Sequence, residues 1–203
     1  MAGWHDIAEW LRRAKARHPR AAVGVYVAFL VGTILLIWFG PSIQRSLSDT
    51  VAGWRVAKIE ALIDDRAAAA GLDAELVRRV VRAESGGDPR AESPRGARGL
   101  MQVTDITLRD VRQRNPDLPR GDLFDAGYNL TVGTTYLAYL MDRFDGDVTL
   151  AVTAYHMGPT RVRRVQRANP GITPTQLVTR HAGPQTRAYV GKVLRGYEGP
   201  ASR

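Results

Sequence analysis

The sequence predicts an all-α domain that follows a single N-terminal transmembrane helix. A run of 19 residues without charge near the N-terminus has the length of a membrane-spanning helix. After Trp54, apolar residues recur at helical spacing, and residues that favour helix starts and stops separate the segments. No segment alternates with period two over enough residues to predict a strand.

The predicted transmembrane helix covers residues 21–39, AAVGVYVAFLVGTILLIWF. At about 1.5 Å per residue it would rise roughly 30 Å, which matches the hydrocarbon thickness of a bilayer. Basic residues crowd the segment before it: Arg12, Arg13, Lys15, Arg17 and Arg20. Because such residues stay on the cytoplasmic side, we expect a single-pass membrane protein with its N-terminus in the cytoplasm. The chain after Phe39 would then lie outside the cytoplasm.

The segments that flank the predicted span have distinct characters. Residues 1–20 form a basic amphipathic segment that could lie along the inner leaflet, and residues 40–53 are predicted as a linker. The alternative is a cleaved signal peptide, whose apolar region would be about 7–15 residues long with a small-residue cleavage site behind it. The apolar run here is longer, and Gly40-Pro41-Ser42 is a poor cleavage site.

Residues 54–203 are predicted to form one helical domain. Gly71 ends its first helix, and Asp73 caps a second helix that ends at Glu84. Loops rich in glycine, proline and polar residues follow at 85–98 and 116–124. The predicted helices cover residues 54–70, 74–84, 104–114, 125–144, 148–156, 159–168, 174–181 and 184–197.

Composition limits the functions that are compatible with this chain. The 203 residues include no cysteine, which excludes disulfides and thiolate metal sites, and the four histidines lack metal-ligand spacing. We therefore expect no metal and no cofactor. The net charge of +9 favours an anionic partner, although genomic base composition could also explain the arginine excess. The chain has no nucleic-acid recognition motif, so nucleic acid is not an expected partner.

Glu84 is the candidate catalytic residue. It continues an apolar stripe of Leu76, Val77, Val80 and Val81 on its helix. Burial on such a face raises the pKa of a carboxyl group, which lets it hold a proton near neutral pH. The alternative is a helix-terminal glutamate that faces solvent.

Four motifs in order carry a resemblance to a known family. They are ESGGDPRAESPRGARGLMQ (84–102), NLTVGTTYL (129–137), AYHMGP (154–159) and QTRAYVGKVL (185–194). Together they closely resemble the SLT-type (family 1) lytic transglycosylases, over roughly residues 72–197. The resemblance implies a lysozyme-like fold and cleavage of the β-1,4 bond between N-acetylmuramic acid and N-acetylglucosamine in peptidoglycan.

The resemblance also implies a mechanism and a set of site residues. Glu84 would act first as an acid and then as a base, and the muramoyl C6 hydroxyl would attack C1 to give a 1,6-anhydro end. Glycosidases that use a substrate group in this way are an exception to the two-carboxylate rule. The implied substrate-binding residues are Ser93, Gly99, Leu100, Met101, Gln102, Tyr155, His156 and Tyr189. Asn129, Gly133, Tyr136 and Leu137 are expected to pack the long helix against the Glu84 helix.

Three residues depart from the family pattern. His156 stands where the family has asparagine, so sugar binding there could depend on pH. Asp105 replaces a usual proline and is either a first-turn acid favoured by the helix dipole or a second carboxylate near the cleft. Gln185 replaces a usual glutamate and removes a charge near Tyr189.

Two alternative functions stay open at the level of sequence. The first is a lysozyme-type muramidase on the same fold, in which Asp105 or another acid guides water. The second is a catalytically silent wall-binding module of an envelope-spanning secretion or conjugation machine. The expected partners are peptidoglycan strands and the membrane, with envelope or secretion-complex proteins as further candidates.

Overall fold

The computed structural model describes residues 27, 29–35, 37–38 and 50–199. By its internal contacts the chain divides into two units, residues 1–49 and 50–203. The predicted basic segment 1–20 and most of the predicted linker lie outside the described residues, as do residues 21–26, 28, 36 and 39 of the predicted span.

The described residues of the first unit are helical and expose apolar side chains. The exposed side chains are those of Val27, Phe29, Leu30, Val31, Ile34, Leu35, Ile37 and Trp38. Within the described part of the chain, no helix has both the length and the apolar character needed to cross a membrane.

The second unit is all-α, as predicted. Residues 50–58 are helical, and eight further helices follow. They are α1 (Glu60–Ala69), α2 (Ala74–Glu84), α3 (Asp105–Arg114), α4 (Ala126–Arg143), α5 (Val148–Met157), α6 (Pro159–Ala168), α7 (Pro174–His181) and α8 (Pro184–Leu194). Between residues 50 and 199 the β pairing consists of two isolated bridges, Glu92 with Arg98 and Arg98 with Val103.

Local hydrogen bonds explain why the helices begin where the sequence predicts. The side chains of Asp73, Thr104, Asp125 and Asp147 each accept a hydrogen bond from a backbone N–H in the first turn of the helix that follows. Thr173 and Gln176 form a reciprocal capping box at the start of α7. These bonds satisfy amide groups that have no partner inside the helix.

Two helix boundaries differ from prediction. The predicted helix 54–70 starts earlier, at residue 50, and is interrupted at Ile59, whose backbone is not helical. The predicted helix 184–197 ends at Leu194, because Arg195 is extended and Gly196 adopts a φ of +66°. A glycine in this left-handed conformation is a common helix stop.

The core places α2 at the centre of the site. Leu76, Val77, Val80 and Val81 are all buried, which confirms the predicted apolar stripe. The α2 helix packs between α1 and α8, while α4 packs mainly against α1, α3 and α5. A second apolar cluster joins the end of α4 to α5, α6 and α7. The buried stripe thus holds the C-terminal end of α2 in a fixed position.

Candidate active site

Glu84 is the last residue of α2 and is partly buried. Burial raises the pKa of its carboxyl group from 4.5 to about 7, although the Tyr189 hydroxyl and the Lys192 ammonium both favour the charged form. Desolvation is therefore the dominant effect, as the apolar stripe predicts. A carboxyl group with this pKa is protonated in about half of the molecules at neutral pH and can both give and take a proton.

Helix α8 brings two groups to Glu84. The Tyr189 hydroxyl is buried, approaches the Glu84 carboxyl, and has no hydrogen-bond partner of normal geometry among the described residues. Its own pKa is raised by burial and by the nearby carboxylate, so it stays a neutral donor. Lys192 donates to the backbone carbonyls of Arg82 (3.2 Å) and Ala83 (3.4 Å) at the end of α2. A cation at this position also complements the helix dipole.

Tyr155 of α5 also lies close to Glu84. Its hydroxyl donates to the Met101 carbonyl at 2.8 Å, and its ring lies 5.7 Å from the ring of Tyr136. Burial and the Glu84 charge raise the pKa of the Tyr155 hydroxyl. The structure thus brings Tyr155 and Tyr189 to Glu84 from two different helices, and their contact with substrate stays a prediction.

The segment Gly99–Gln102 lies beside α2. The side chains of Leu100 and Met101 are completely buried in the core. Protein encloses both side chains, and the role of Leu100 and Met101 in binding substrate stays a prediction. The Gln102 amide nitrogen donates to the carbonyls of Ala91 and Gly99, both at 3.2 Å, so it braces the loop.

Asn129 of α4 fixes the conformation of this segment. Its side chain is fully buried, accepts from the Met101 amide (2.8 Å), and donates to the carbonyls of Arg98 (2.8 Å) and Leu123 (2.7 Å). Gly99 has a φ of +74°, and a Cβ atom there would lie 2.3 Å from the Asn129 amide nitrogen. The glycine therefore allows close packing on Asn129, and its predicted role in substrate binding stays a prediction.

Gly133 of α4 also packs against the Gly99–Gln102 segment. A Cβ atom at this position would lie 2.4 Å from Met101 Sδ and 2.7 Å from Met101 Cβ. The prediction that Asn129 and Gly133 pack the long helix against the Glu84 helix is wrong, because these two residues receive the 98–101 segment. Gly133 has no side chain, and Met101 occupies the space that a side chain at this position would fill.

Ser85 is a positioning residue that the sequence reasoning missed. Its hydroxyl lies 2.8 Å from the Leu100 carbonyl and 3.2 Å from the Val81 carbonyl, and accepts from the Gly87 amide at 3.1 Å. The Ser85 side chain therefore links the end of α2 to the Gly99–Gln102 segment. Its place directly beside Glu84 was the available signal. Lys192 was missed too, and its signal was the i+3 spacing from Tyr189 on α8.

Ser93 lies in the loop that follows α2, and His156 lies near the end of α5. The Ser93 hydroxyl accepts from the Ala97 amide at 3.0 Å, which leaves its own proton available to a ligand. His156 is exposed, its Nδ1 lies 3.0 Å from the Thr186 hydroxyl, and its ring centroid lies 4.6 Å from that of Tyr189. The ring is partly desolvated where it faces Thr186 and Tyr189, and this together with the nearby Arg95 charge lowers the pKa of His156, so its neutral form is favoured.

The other departures from the family pattern lie at the surface. Asp105 is in the first turn of α3, is exposed, and pairs with Arg98. This geometry agrees with the helix-dipole explanation of Asp105 and does not favour a second carboxylate in the cleft. Gln185 is also exposed. Within residues 50–199, no group of three or more histidine, aspartate or glutamate side chains is arranged to hold a metal ion.

The raised pKa of Glu84 predicts a pH-dependent gain in stability when the carboxyl is removed. Below pH 4.5 the group is protonated in both the folded and the unfolded chain, and above about pH 7 the folded chain carries a desolvated carboxylate. The wild-type free energy of unfolding therefore decreases as the pH rises from 4.5 to about 7, because the folded chain must then carry the desolvated Glu84 carboxylate. In urea unfolding we expect Glu84→Gln to be more stable than wild type by about 3 kcal/mol at pH 8 and nearly equal at pH 4.

Glu92→Gln provides the control, because it makes the same chemical change at an exposed loop position. It should change the free energy of unfolding by less than about 0.5 kcal/mol at either pH. A stability difference for Glu84→Gln that does not vary between pH 4 and pH 8 would show that the carboxyl is not desolvated.

Comparison with known proteins identifies similar domains. Residues 61–175 match the family model described as the transglycosylase SLT domain. Membrane-bound lytic murein transglycosylase F of Desulfosudis oleivorans is 32% identical over 130 residues, which cover 60% of this chain and 27% of that protein. Membrane-bound lytic murein transglycosylase C of Photorhabdus laumondii is 32% identical over 152 residues, covering 64% and 43%. The soluble lytic murein transglycosylase of Salmonella typhimurium is 33% identical over 123 residues, covering 57% and 18%. The chain therefore spans less than half the length of each of these relatives.

Solved structures show the same similarity. The 70 kDa soluble lytic transglycosylase of Escherichia coli superposes with a TM-score of 0.62 at 28% identity, covering 66% of this chain and 22% of that one. A complex of the 70 kDa soluble lytic transglycosylase with bulgecin A gives the same values. An inactive mutant of the lytic transglycosylase Slt from Pseudomonas aeruginosa gives a TM-score of 0.61.

Proposed function

This chain belongs to the transglycosylase SLT domain family, and on that basis we propose that it is a lytic transglycosylase that cleaves peptidoglycan. The observation that carries the proposal is the Glu84 carboxyl, whose pKa of about 7 suits a group that must be both acid and base. Its neighbours Tyr155 and Tyr189 can support a sugar by stacking or hydrogen bonding. The names of the similar proteins point to the same reaction.

In the first step, protonated Glu84 gives its proton to the oxygen that joins muramic acid C1 to C4 of N-acetylglucosamine. The C1–O bond breaks, and the N-acetylglucosamine part leaves with a hydroxyl group. The acetamido oxygen of the muramic acid stabilises the positive charge at C1. The Tyr189 hydroxyl and Lys192 favour the glutamate that forms, because both stabilise its charged state.

In the second step, the Glu84 carboxylate takes the proton from the C6 hydroxyl of the muramic acid. The C6 oxygen attacks C1 and forms the 1,6-anhydro bond, which returns Glu84 to its protonated state. No water is consumed. The C6 hydroxyl belongs to the bound sugar, so it is held at a high effective concentration.

The surroundings of Glu84 support an internal nucleophile over water. A hydrolase would need a second carboxylate about 5–9.5 Å from the first. The effects on the pKa of Glu84 come from burial, Tyr189 and Lys192. Asp105, the candidate from the sequence, is exposed and paired with Arg98. These observations favour a transglycosylase over the muramidase alternative.

The product of the reaction tests this choice. Digestion of purified peptidoglycan is expected to release muropeptides that end in 1,6-anhydro-muramic acid and are lighter by one water than hydrolysis products. Mass spectrometry before and after borohydride treatment measures this, because anhydro ends cannot be reduced. Reducible muramic acid ends as the main product, together with their loss in Asp105→Asn, would instead establish the muramidase function.

We also propose that residues 21–39 anchor the enzyme in the inner membrane, with the N-terminus in the cytoplasm and the catalytic domain in the periplasm. The support is the uncharged run with basic residues before it, and the exposed apolar side chains of its described helical residues. Two of the similar proteins are named as membrane-bound.

A topology experiment tests the anchor. With an epitope tag at each end, protease added to intact spheroplasts is expected to remove the C-terminal tag and to leave the N-terminal tag protected. Lysed spheroplasts provide the control, in which both tags should be digested. Digestion of the N-terminal tag in intact spheroplasts, or a mature chain that starts near residue 43, would contradict the proposed topology.

A further inference from the structure

A basic groove lies between α2 and α8, away from the face that carries Glu84. Its volume is about 390 Å³, and its charged lining residues are Glu75, Arg78, Arg79, Arg82, Lys192 and Arg195. The four α2 positions repeat at i, i+3, i+4 and i+7, so they share one side of the helix. Glu84 extends the buried stripe on the other side of α2, and Lys192 both lines the groove and acts on the Glu84 carboxyl.

Carboxylates neutralise only part of this basic lining. Glu75 pairs with Arg78 at 3.1 Å and with Arg79 at 2.6 Å. Arg78 also pairs with Asp64 at 2.5 Å and with Glu60 at 3.7 Å, and Arg79 donates to backbone carbonyls at the end of α8. These bonds hold Arg78 and Arg79 in place and pair their charges with carboxylates.

Arg82 and Arg195 form no ion pair among residues 50–199. Lys192 is held by the carbonyls at the end of α2, and its charge also acts on the Glu84 carboxyl. Like charges that converge on one groove repel each other, so their proximity costs stability unless an anion binds between them. The groove therefore has the charge and the lining of an anion-binding site.

We propose that this groove binds a phosphate group, carried by the headgroup of an anionic phospholipid or by a soluble phosphate ester. Guanidinium groups match phosphate oxygens with paired hydrogen bonds, and a lysine ammonium adds a compact charge. The groove volume lies within the range of small-ligand sites.

The neighbouring helical residues 50–58 favour the lipid headgroup as the source. Gly53 lies next to Arg82, because a Cβ atom at Gly53 would be 3.8 Å from the Arg82 guanidinium. The adjacent Trp54 is 60% exposed, and the Lys58 ammonium lies 3.6 Å from its ring centre. An exposed tryptophan beside clustered cations is typical of segments that contact a membrane surface.

Phosphorus NMR of the full chain in uncharged detergent micelles tests the site. Inorganic phosphate, phosphatidylglycerol and phosphatidylcholine are titrated separately at constant ionic strength. The double variant Arg82→Gln/Arg195→Gln removes two unpaired cations, and Arg164→Gln/Arg167→Gln removes two exposed arginines of α6 as a control for net charge. We expect the groove variant to weaken phosphate binding about tenfold or more and the control to weaken it less than threefold.

The probes distinguish the sources of the phosphate. Stronger binding of phosphatidylglycerol than of phosphatidylcholine, lost in the groove variant, supports the lipid headgroup. Groove-dependent binding of inorganic phosphate without lipid preference supports a soluble ester. Equal weakening in the groove variant and the control, or no binding of any probe, would overturn the proposal. Unfolding midpoints check that the variants are folded, and Arg82→Gln alone replaces the double variant if it is not.

Discussion

A chain that carries Glu84→Gln is expected to cleave peptidoglycan at least about 10²–10⁴ times more slowly than wild type. One positioned acid or base contributes a factor of this size, and the proposed mechanism assigns both roles to Glu84. Glutamine keeps the shape of the side chain but cannot give or take the proton. The measurement is the rate at which soluble muropeptides appear from purified peptidoglycan, followed by liquid chromatography and mass spectrometry.

Two comparisons make this test specific. Glu92→Gln makes the same substitution in the loop after α2 and should keep nearly the wild-type rate, because its side chain is exposed. The wild-type rate should fall as the pH rises above about 7, because the first step needs the protonated Glu84 carboxyl. Turnover close to wild type in a clean Glu84→Gln preparation would rule out the proposed mechanism.

The largest loss of stability is expected from Asn129→Ala. This change removes three hydrogen bonds and leaves the Met101 amide and the Leu123 carbonyl without that partner, whereas the Arg98 carbonyl keeps its bond from the Val103 amide at 2.9 Å. Buried groups without partners cost about 1–3 kcal/mol each, and partial relaxation reduces their sum. We expect a decrease of about 3–5 kcal/mol in the free energy of unfolding, measured by urea denaturation. Cleavage should also fall, because the segment beside Glu84 loses its support.

Asn169→Ala provides a matched control for this effect. Asn169 is half-buried, and its side chain makes one hydrogen bond, to the Val165 carbonyl at 2.9 Å. Its loss should cost about 1 kcal/mol. If the two variants lose similar stability, the three-bond arrangement around Asn129 does not hold the 98–101 segment in the way the structure indicates.

The sequence by itself determined the helices and the environment of the candidate acid. Asp73, Thr104 and Asp147 are caps whose hydrogen bonds reach only two or three residues along the chain, so they are visible in a short stretch of sequence. The stripe on α2 repeats with helical period, and its burial requires the last residue of that stripe to lose solvent as well. For the same reason, Glu84 could be predicted to have a raised pKa before any contact was known.

The tertiary structure decided what surrounds Glu84. The Gly99–Gln102 segment has no periodic pattern, so the sequence could not show that Leu100 and Met101 face the core. Their direction depends on Asn129 and Gly133, which lie about 30 positions later in the chain.

Long-range packing also explains the features that no motif indicated. Lys192 reaches the end of α2 across more than 100 residues, and the basic groove exists because α8 lies against α2. Arginines at helical spacing on an isolated α2 predict a solvated face. Only the neighbouring helix, which adds Lys192 and Arg195, turns that face into a groove with unpaired charge. Contacts between distant segments depend on how whole helices pack, and short-range sequence patterns do not contain that information.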